Sequence, residues 1–197
     1  RPAEKGHIFL DGKEITNLSP KKVREVGLAH IPEDRNTRGL NRTMSIEENL
    51  VAVEVDKAPF SRGMVMNTAA MDQYSEEMVK RFDIRPTDYK LPTSSLSGGN
   101  AQKVVVAREV SMNKKLLVAA QPTRGVDIGA IESIQKTLEE AKKNGAGVLL
   151  VSTELEEITS LSDRIIVIHE GTITGELSAG EANENNLGLL MMGGTVD

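Results

Sequence analysis

The chain has no cysteine and no tryptophan, and aromatic residues make up only 3% of it. Without cysteine it can form neither disulfides nor thiolate metal sites, which suits a reducing compartment. So few aromatic rings argue against a platform on which nucleic-acid bases stack. Positive charge is also scarce: 24 Lys and Arg against 29 Asp and Glu leave a net charge of −5 and a pI near 5.4. No field that gathers nucleic acid is expected from that balance. The histidines, His7, His30 and His169, are scattered without ligand spacing, so no metal centre is expected. Long hydrophobic runs are missing as well. Stretches such as Val148–Val151 and Ile165–Ile168 are of strand length, far short of a membrane span, and no leader peptide is visible. The chain opens on Arg1 rather than Met, in what reads as a loop, so it is expected to be a piece of a longer protein.

Its 197 residues suffice for one good core with a small appended subdomain. Gly6 to Ile15 reads as a hairpin in which Asp11-Gly12 supplies a two-residue turn. Ser19-Pro20 opens a short helix to about Glu25, and Val26 to Ile31 is a strand candidate running into the loop Pro32-Glu33-Asp34-Arg35. From Met44 to about Leu91 the pattern is Met-rich and helical. Ser45 and Glu48 have capping-box spacing, and Met71, Tyr74, Met78, Val79 and Phe82 recur on one helical face. A helix over Ala101 to Met112 comes next, then strand-like runs at Leu116–Ala120, Gly147–Val151 and Arg164–His169. A helix at about Ile131–Asn144, stopped by Gly145, and a short helix held within Ser152–Leu161 separate those runs, a pattern that predicts a parallel sheet with crossover helices.

Residues Leu96 to Arg108 read Leu-Ser-Gly-Gly-Asn-Ala-Gln-Lys-Val-Val-Val-Ala-Arg, a Gly-Gly turn that opens directly into a helix. Ser97 can cap that helix and offer a hydroxyl, while Gly98 and Gly99 let backbone N–H groups approach an anion at its positive end. The pattern is that of a phosphate site.

Several further motifs follow in one order. Leu116 to Thr123 forms a strand ending in Ala120-Gln121-Pro122-Thr123, and Arg124-Gly125-Val126-Asp127 comes next. Ser152-Thr153-Glu154 then precedes Ser162-Asp163-Arg164-Ile165 and Glu170-Gly171. Together these resemble the ATP-binding subunit of ATP-binding-cassette (ABC) transporters. Leu96–Lys103 resembles the family's signature motif, Leu116–Thr123 its Walker B strand, Arg124–Asp127 its D-loop, and Thr153 the position of its switch histidine. Pro32–Arg35, with Glu33 at the Q-loop position, resembles the form taken in the second cassette of monosaccharide and nucleoside importers. The resemblance implies an α/β, P-loop NTPase-like parallel sheet with helices, interrupted by a helical subdomain. Its boundaries are expected at 1–43 for the first part of the ATPase core, 44–96 for the helical subdomain, 97–182 for the signature helix and the rest of the core, and 183–197 for a C-terminal tail.

The departures from the family pattern matter as much. No Gly-x-x-x-x-Gly-Lys-[Ser/Thr] occurs, so the phosphate-binding loop and the first strand are expected to be missing from this stretch. Ala120 and Gln121 stand where the family carries an Asp for magnesium and a Glu for the attacking water, and Thr153 replaces the switch His. A methyl group holds no metal, and an amide accepts no proton as a carboxylate does. The cassette's own site is therefore expected to be degenerate and the isolated fragment inactive, with no nucleotide or magnesium of its own. The resemblance implies head-to-tail pairing, in which Ser97, Gly98, Gly99 and Asn100 complete the ATP site of a partner cassette. ATP and Mg2+ then belong to the full assembly. The implied partners are a first cassette in the same polypeptide, transmembrane permease subunits and, indirectly, an extracellular substrate-binding lipoprotein, with no nucleic acid. The implied location is the cytoplasmic face of the cell membrane. Absence of a central strand and its helix is expected to leave apolar surface and to favour self-association.

Plainer readings stand beside these. Asp127 suffices as a helix cap, Glu33 and Asp34 as members of a solvated turn, and Ala120 and Gln121 as the end of a buried strand. Arg124, Asp163 and Arg164 are equally good structural ion-pair partners. Methionines are usually plain core, although a soft surface for docking a permease helix is open to them. Two functional classes remain: the energy-coupling subunit of an importer, for nucleosides or simple sugars, and a non-catalytic regulatory or scaffold cassette. A cassette acting on ribosomes or DNA is a weaker third. The stretches Ala119–Thr123 and Asn100–Lys103 look most like nucleoside-type proteins that work with basic-membrane-lipoprotein receptors.

Overall fold

A computed structural model describes residues 2–111 and 114–195. The chain forms two compact units, Arg1–Leu149 and Leu150–Asp197.

In the first unit, β1 (Phe9–Leu10) and β2 (Lys13–Glu14) form the expected hairpin, paired Phe9 to Glu14 and Leu10 to Lys13. Asp11 and Gly12 both take positive φ there, at 50° and 72°. Helix α1 (Pro20–Val26) begins at proline, where no N–H is needed, and ends at Gly27. Strand β3 (Leu28–Ile31) follows, with Ala29 and Ile31 buried, and leads into the Pro32–Arg35 loop.

Helix α2 (Ile46–Val51) carries the expected capping box. The Ser45 hydroxyl accepts from the Glu48 N–H, and the Glu48 carboxylate accepts from the Ser45 N–H at 2.7 Å. The segment after it departs from the helical expectation. Strands β4 (Ser61–Arg62) and β5 (Val65–Met66) form a second small hairpin about Gly63, whose φ of +65° permits the tight reversal. Helix α3 (Thr68–Arg81) then buries Met71, Met78 and Val79, with Tyr74 edge-on to Phe60 at 5.0 Å. Methionine is thus core only in part, since Met64 is fully exposed and Met66 half exposed.

Helix α4 (Gly98–Val110) starts on the Gly-Gly pair and packs against α2 and β3. It starts three residues before the expected Ala101 and ends at Val110, two residues short of the expected Met112, which lies outside the described residues. Strand β6 (Leu116–Ala120) runs parallel to β3 in the register Leu28–Leu116 to Ile31–Ala119. Helix α5 (Ile128–Lys143) begins a turn before the expected Ile131, because Asp127 accepts from the Ala130 N–H at 3.0 Å and caps it there. Strand β7 (Gly147–Val151) completes a sheet of order β3-β6-β7, and its Leu149 and Val151 are about half exposed.

In the second unit, helix α6 (Leu155–Leu161) lies within the stretch expected to hold a short helix, after a turn in which the Ser152 hydroxyl accepts from the Glu154 N–H. The larger correction concerns β8 (Arg164–His169), expected as a further parallel strand. It pairs antiparallel with β9 (Thr172–Ser178) through Glu170-Gly171, at φ 49° and 78°. Alternation along β8 turns Ile165 and Val167 inward and leaves Ile166 and Ile168 exposed. The stretch expected as a tail carries α7 (Glu184–Met191), capped by Asn183, whose Leu187 and Leu190 complete this unit's core with Leu177.

Candidate functional site

Ser97 caps α4 with its hydroxyl, which accepts from the Asn100 N–H at 3.4 Å and from Asn100 Nδ2 at 3.0 Å. The Asn100 side chain is turned by its other end, where Oδ1 accepts from the Arg85 N–H at 2.7 Å. A cap-and-glycine start leaves N–H groups of the first turn directed outward at the positive end of a 13-residue helix.

The two glycines admit close neighbours. A Cβ on Gly98 would lie 2.8 Å from Arg35 Nη2 and 3.1 Å from the Gly125 carbonyl oxygen. On Gly99 it would lie 2.5 Å from Asp127 Oδ2 and 3.0 Å from the Ala130 methyl. The starts of α4 and α5 therefore meet, with Gly99 pressed on the Asp127 cap. In front of them lies a shallow depression of about 310 Å³ lined by Asp83, Arg85, Asn100, Lys103, Asp127 and Ala130. Arg85 and Lys103 both pair with Asp83, at 2.9 and 3.7 Å, and Asp127 already caps α5, so the N–H groups at the start of α4 are what can face an oxyanion.

The Pro32–Arg35 loop joins this cluster. Glu33 forms an ion pair with Arg124, and Arg35 donates to the carbonyls of Arg124 and Gly125. Asp34 shapes the loop. Its carboxylate accepts from the Thr37 hydroxyl at 2.6 Å and the Asn36 N–H at 2.9 Å, and these bonds hold its pKa below the ordinary value. Gln102, one turn into α4, is buried and donates to the Pro122 carbonyl at 2.7 Å, tying α4 to the end of β6.

Ala120 and Gln121 sit at the C-terminal end of β6, the end at which parallel sheets place their ligands. Gln121 takes φ +48°, a conformation costly for a residue other than glycine, asparagine or aspartate. No carboxylate stands at either position. Thr153 belongs to the second unit, in the turn between β7 and α6.

Two residues with structural tasks escaped sequence reasoning, Arg35 at the site and Glu109 in the core on α4. Arg35 was visible only as part of a charged turn. Glu109, fully buried near the end of α4, accepts from Arg24 Nη1 and Nη2 (2.8 and 3.2 Å), from Arg108 Nε (3.0 Å) and from the His30 N–H (3.1 Å). Burial opposes its charge, but hydrogen bonding from Arg24 and the nearby Arg108 charge win, so its pKa lies below the ordinary value. The available signal was a charged pair, Arg108-Glu109, embedded in an apolar helical run. His30 on β3 also has its pKa lowered, by partial desolvation of the ring.

This architecture is that of an ATP-binding cassette, an α/β P-loop NTPase-like fold. It superposes on the dimeric ATP-binding cassette MJ0796, in a post-hydrolysis state bound to ADP and Pi, with a TM-score of 0.75 and 21% identity. That match covers 89% of this chain and 74% of the other. Residues 1–124 match the ABC transporter family, and the chain belongs to that family. It is similar to the guanosine import ATP-binding protein NupO of Bacillus subtilis, 45% identical over 195 residues, covering 99% of this chain. It is also similar to the nucleoside import ATP-binding protein NupA of Lactococcus lactis (42%, 98% of this chain) and to the ribose import ATP-binding protein RbsA of Bacillus cereus (36%, 98%). The chain spans 38% of the length of each of these three relatives. Among the described residues no helix is long and apolar enough to cross a membrane.

Proposed function

We propose that this chain is part of the ATP-binding subunit of an importer for nucleosides or simple sugars, and that it supplies its signature motif to an ATP held by a partner cassette. The observation that carries the reading is the Ser97-Gly98-Gly99 start of α4, a capped helix N-terminus whose first turn carries no side chain at residues 98 and 99 and so leaves its N–H groups open to an anion. Bound there, ATP with its magnesium would bring a γ-phosphate whose developing negative charge meets N–H groups already oriented toward it. Ser97 would add its hydroxyl, Asn100 would hold that hydroxyl in place, and the Asp127 loop would back the glycines. The nucleoside assignment draws on the likeness to NupO and NupA.

The chain's own site is read as degenerate. Neither Ala120 nor Gln121 offers the carboxylates that magnesium and an attacking water require, and Thr153 cannot act as a histidine does. Those same residues favour the second reading, a scaffold cassette that binds its partner without completing a catalytic site. ATP turnover by the assembled transporter carrying Gly98→Asp separates the two: loss supports the composite site, unchanged turnover the scaffold.

The partners in this reading are another cassette, within the same polypeptide, and membrane permease subunits, with an extracellular lipoprotein receptor acting through them on the far side of the membrane. The location is the cytoplasmic face of that membrane. The domain boundaries at 43/44, 96/97 and 182/183 belong to the same proposal. Exposed Leu149 and Val151 on β7 give the isolated chain a reason to self-associate. Light scattering should show the mean mass rising with concentration, and a constant monomer mass would contradict it.

A further inference from the structure

Arg35 is separated from the loop it holds by about ninety residues. Its Nη1 donates to the Arg124 carbonyl at 2.8 Å and its Nη2 to the Gly125 carbonyl at 2.9 Å, so one planar fork grips two successive peptide units. A second link, the ion pair of Glu33 with the Arg124 side chain, joins the same two segments two residues upstream. Gly125 takes φ +64°, so its carbonyl direction comes from a conformation with little steric restraint of its own. Arg35 supplies that restraint from outside.

The grip reaches the signature directly. Arg35 Nη2 and the Gly125 carbonyl are the two nearest atoms to the space above Gly98, and Asp127, two residues after Gly125, occupies the space above Gly99. Meanwhile Arg35 Nε is buried and makes no hydrogen bond. An arginine that gives up solvation of one donor to aim the other two nitrogens is placed for geometry.

We propose that Arg35 is a positioning residue: it holds the Arg124–Asp127 loop against Gly98 and Gly99 and thereby fixes the signature N–H groups in the orientation a partner's phosphate requires. Glu33 works with it as the second half of a clamp. The proposal rests on the reading that the signature acts in trans. It assigns the Pro32–Arg35 loop a task toward this chain's own D-loop, separate from any contact with nucleotide.

The test uses the assembled transporter with Arg35→Ala and Arg35→Lys, measuring kcat and KM for ATP per folded molecule. Amide hydrogen exchange at residues 98–100 and 125–127 is followed in parallel. Loss of two charge-assisted hydrogen bonds should lower kcat about 10- to 100-fold in Arg35→Ala. Arg35→Lys should fall between that variant and wild type, since an ammonium keeps the charge but not the fork. KM should move less than about threefold, because the interaction lost is one that matters in the transition state. Exchange at 125–127 should quicken in both variants while β3 and β6 stay protected. A purely structural arginine would lower the melting temperature and leave kcat per folded molecule unchanged. That result overturns the proposal, and if Gly98→Asp still abolishes turnover, the trans reading survives it. An inert Gly98→Asp overturns both.

Discussion

Gly98→Asp should lower ATP turnover of the assembled transporter by about 100-fold or more, the scale seen when a preorganised donor to a developing oxyanion is removed. The new side chain would enter the contact of Gly98 with Arg35 Nη2 and the Gly125 carbonyl, placing a negative charge at the start of α4 where it repels a γ-phosphate approaching the same N–H groups. The fold should survive the change. The added Cβ meets Arg35 Nη2 at 2.8 Å, the movable end of a side chain, and the Gly125 carbonyl oxygen at 3.1 Å, which must give by a few tenths of an ångström. The variant should therefore be purified folded and assembled, with its melting temperature close to wild type. Gly98→Ala meets the same contact without the charge and should lose much less. An equal loss in the two variants would point to crowding rather than to displaced phosphate.

Glu109→Ala should destabilise the chain by about 3–5 kcal/mol, the cost of breaking a buried charge cluster by removing one partner. The carboxylate binds α1 through Arg24 and β3 through the His30 N–H, and it neutralises Arg108, which is itself buried. Its removal leaves the Arg108 guanidinium without that partner, beside a new cavity. Chemical denaturation reads the difference. Glu109→Gln keeps the volume and loses the charge, so it should also destabilise the fold. The pH dependence carries a definite sign. Because the folded-state pKa is depressed, the stabilisation is fully present above the unfolded value of about 4.3 and is lost as pH falls through the lower folded value. The wild type should therefore lose more stability than Glu109→Gln on going from neutral pH to below about 4. Parallel acid profiles for the two proteins would contradict this account of Glu109.

Features decided within a few residues were legible in advance. Asp11-Gly12 specified its hairpin, Ser45 with Glu48 its capping box, Ser97-Gly98-Gly99 a helix start, and Gly145 a helix stop, because each motif meets its own hydrogen-bonding need locally. Strand direction is a different kind of fact. Arg164–His169 has the apolar run of a buried parallel strand, yet Glu170-Gly171 turns it back on a partner whose own pattern, Thr-Ile-Thr-Gly-Glu-Leu-Ser, is too polar to announce a strand. The β4–β5 hairpin was hidden in the same way by Met64, Val65 and Met66, which suit a helix as well as a strand edge. At the site, Ser97, Gly98, Gly99, Asp127 and Glu33 were named from motif order. What joins them was not visible, since Arg35 finds the Arg124 and Gly125 carbonyls 89 and 90 residues away and only the fold brings those segments side by side.

The most direct test of the central claim is a cross-link across the proposed shared site. Ser97→Cys introduces a single thiol at the start of α4, and a second cysteine is placed in the phosphate-binding loop of the partner cassette in the assembled transporter. If this chain completes a partner's ATP site, a disulfide should form between the two when ATP is present and hydrolysis is blocked, and should fail to form without nucleotide. An intact, ATP-bound complex in which the two thiols never cross-link would contradict the account.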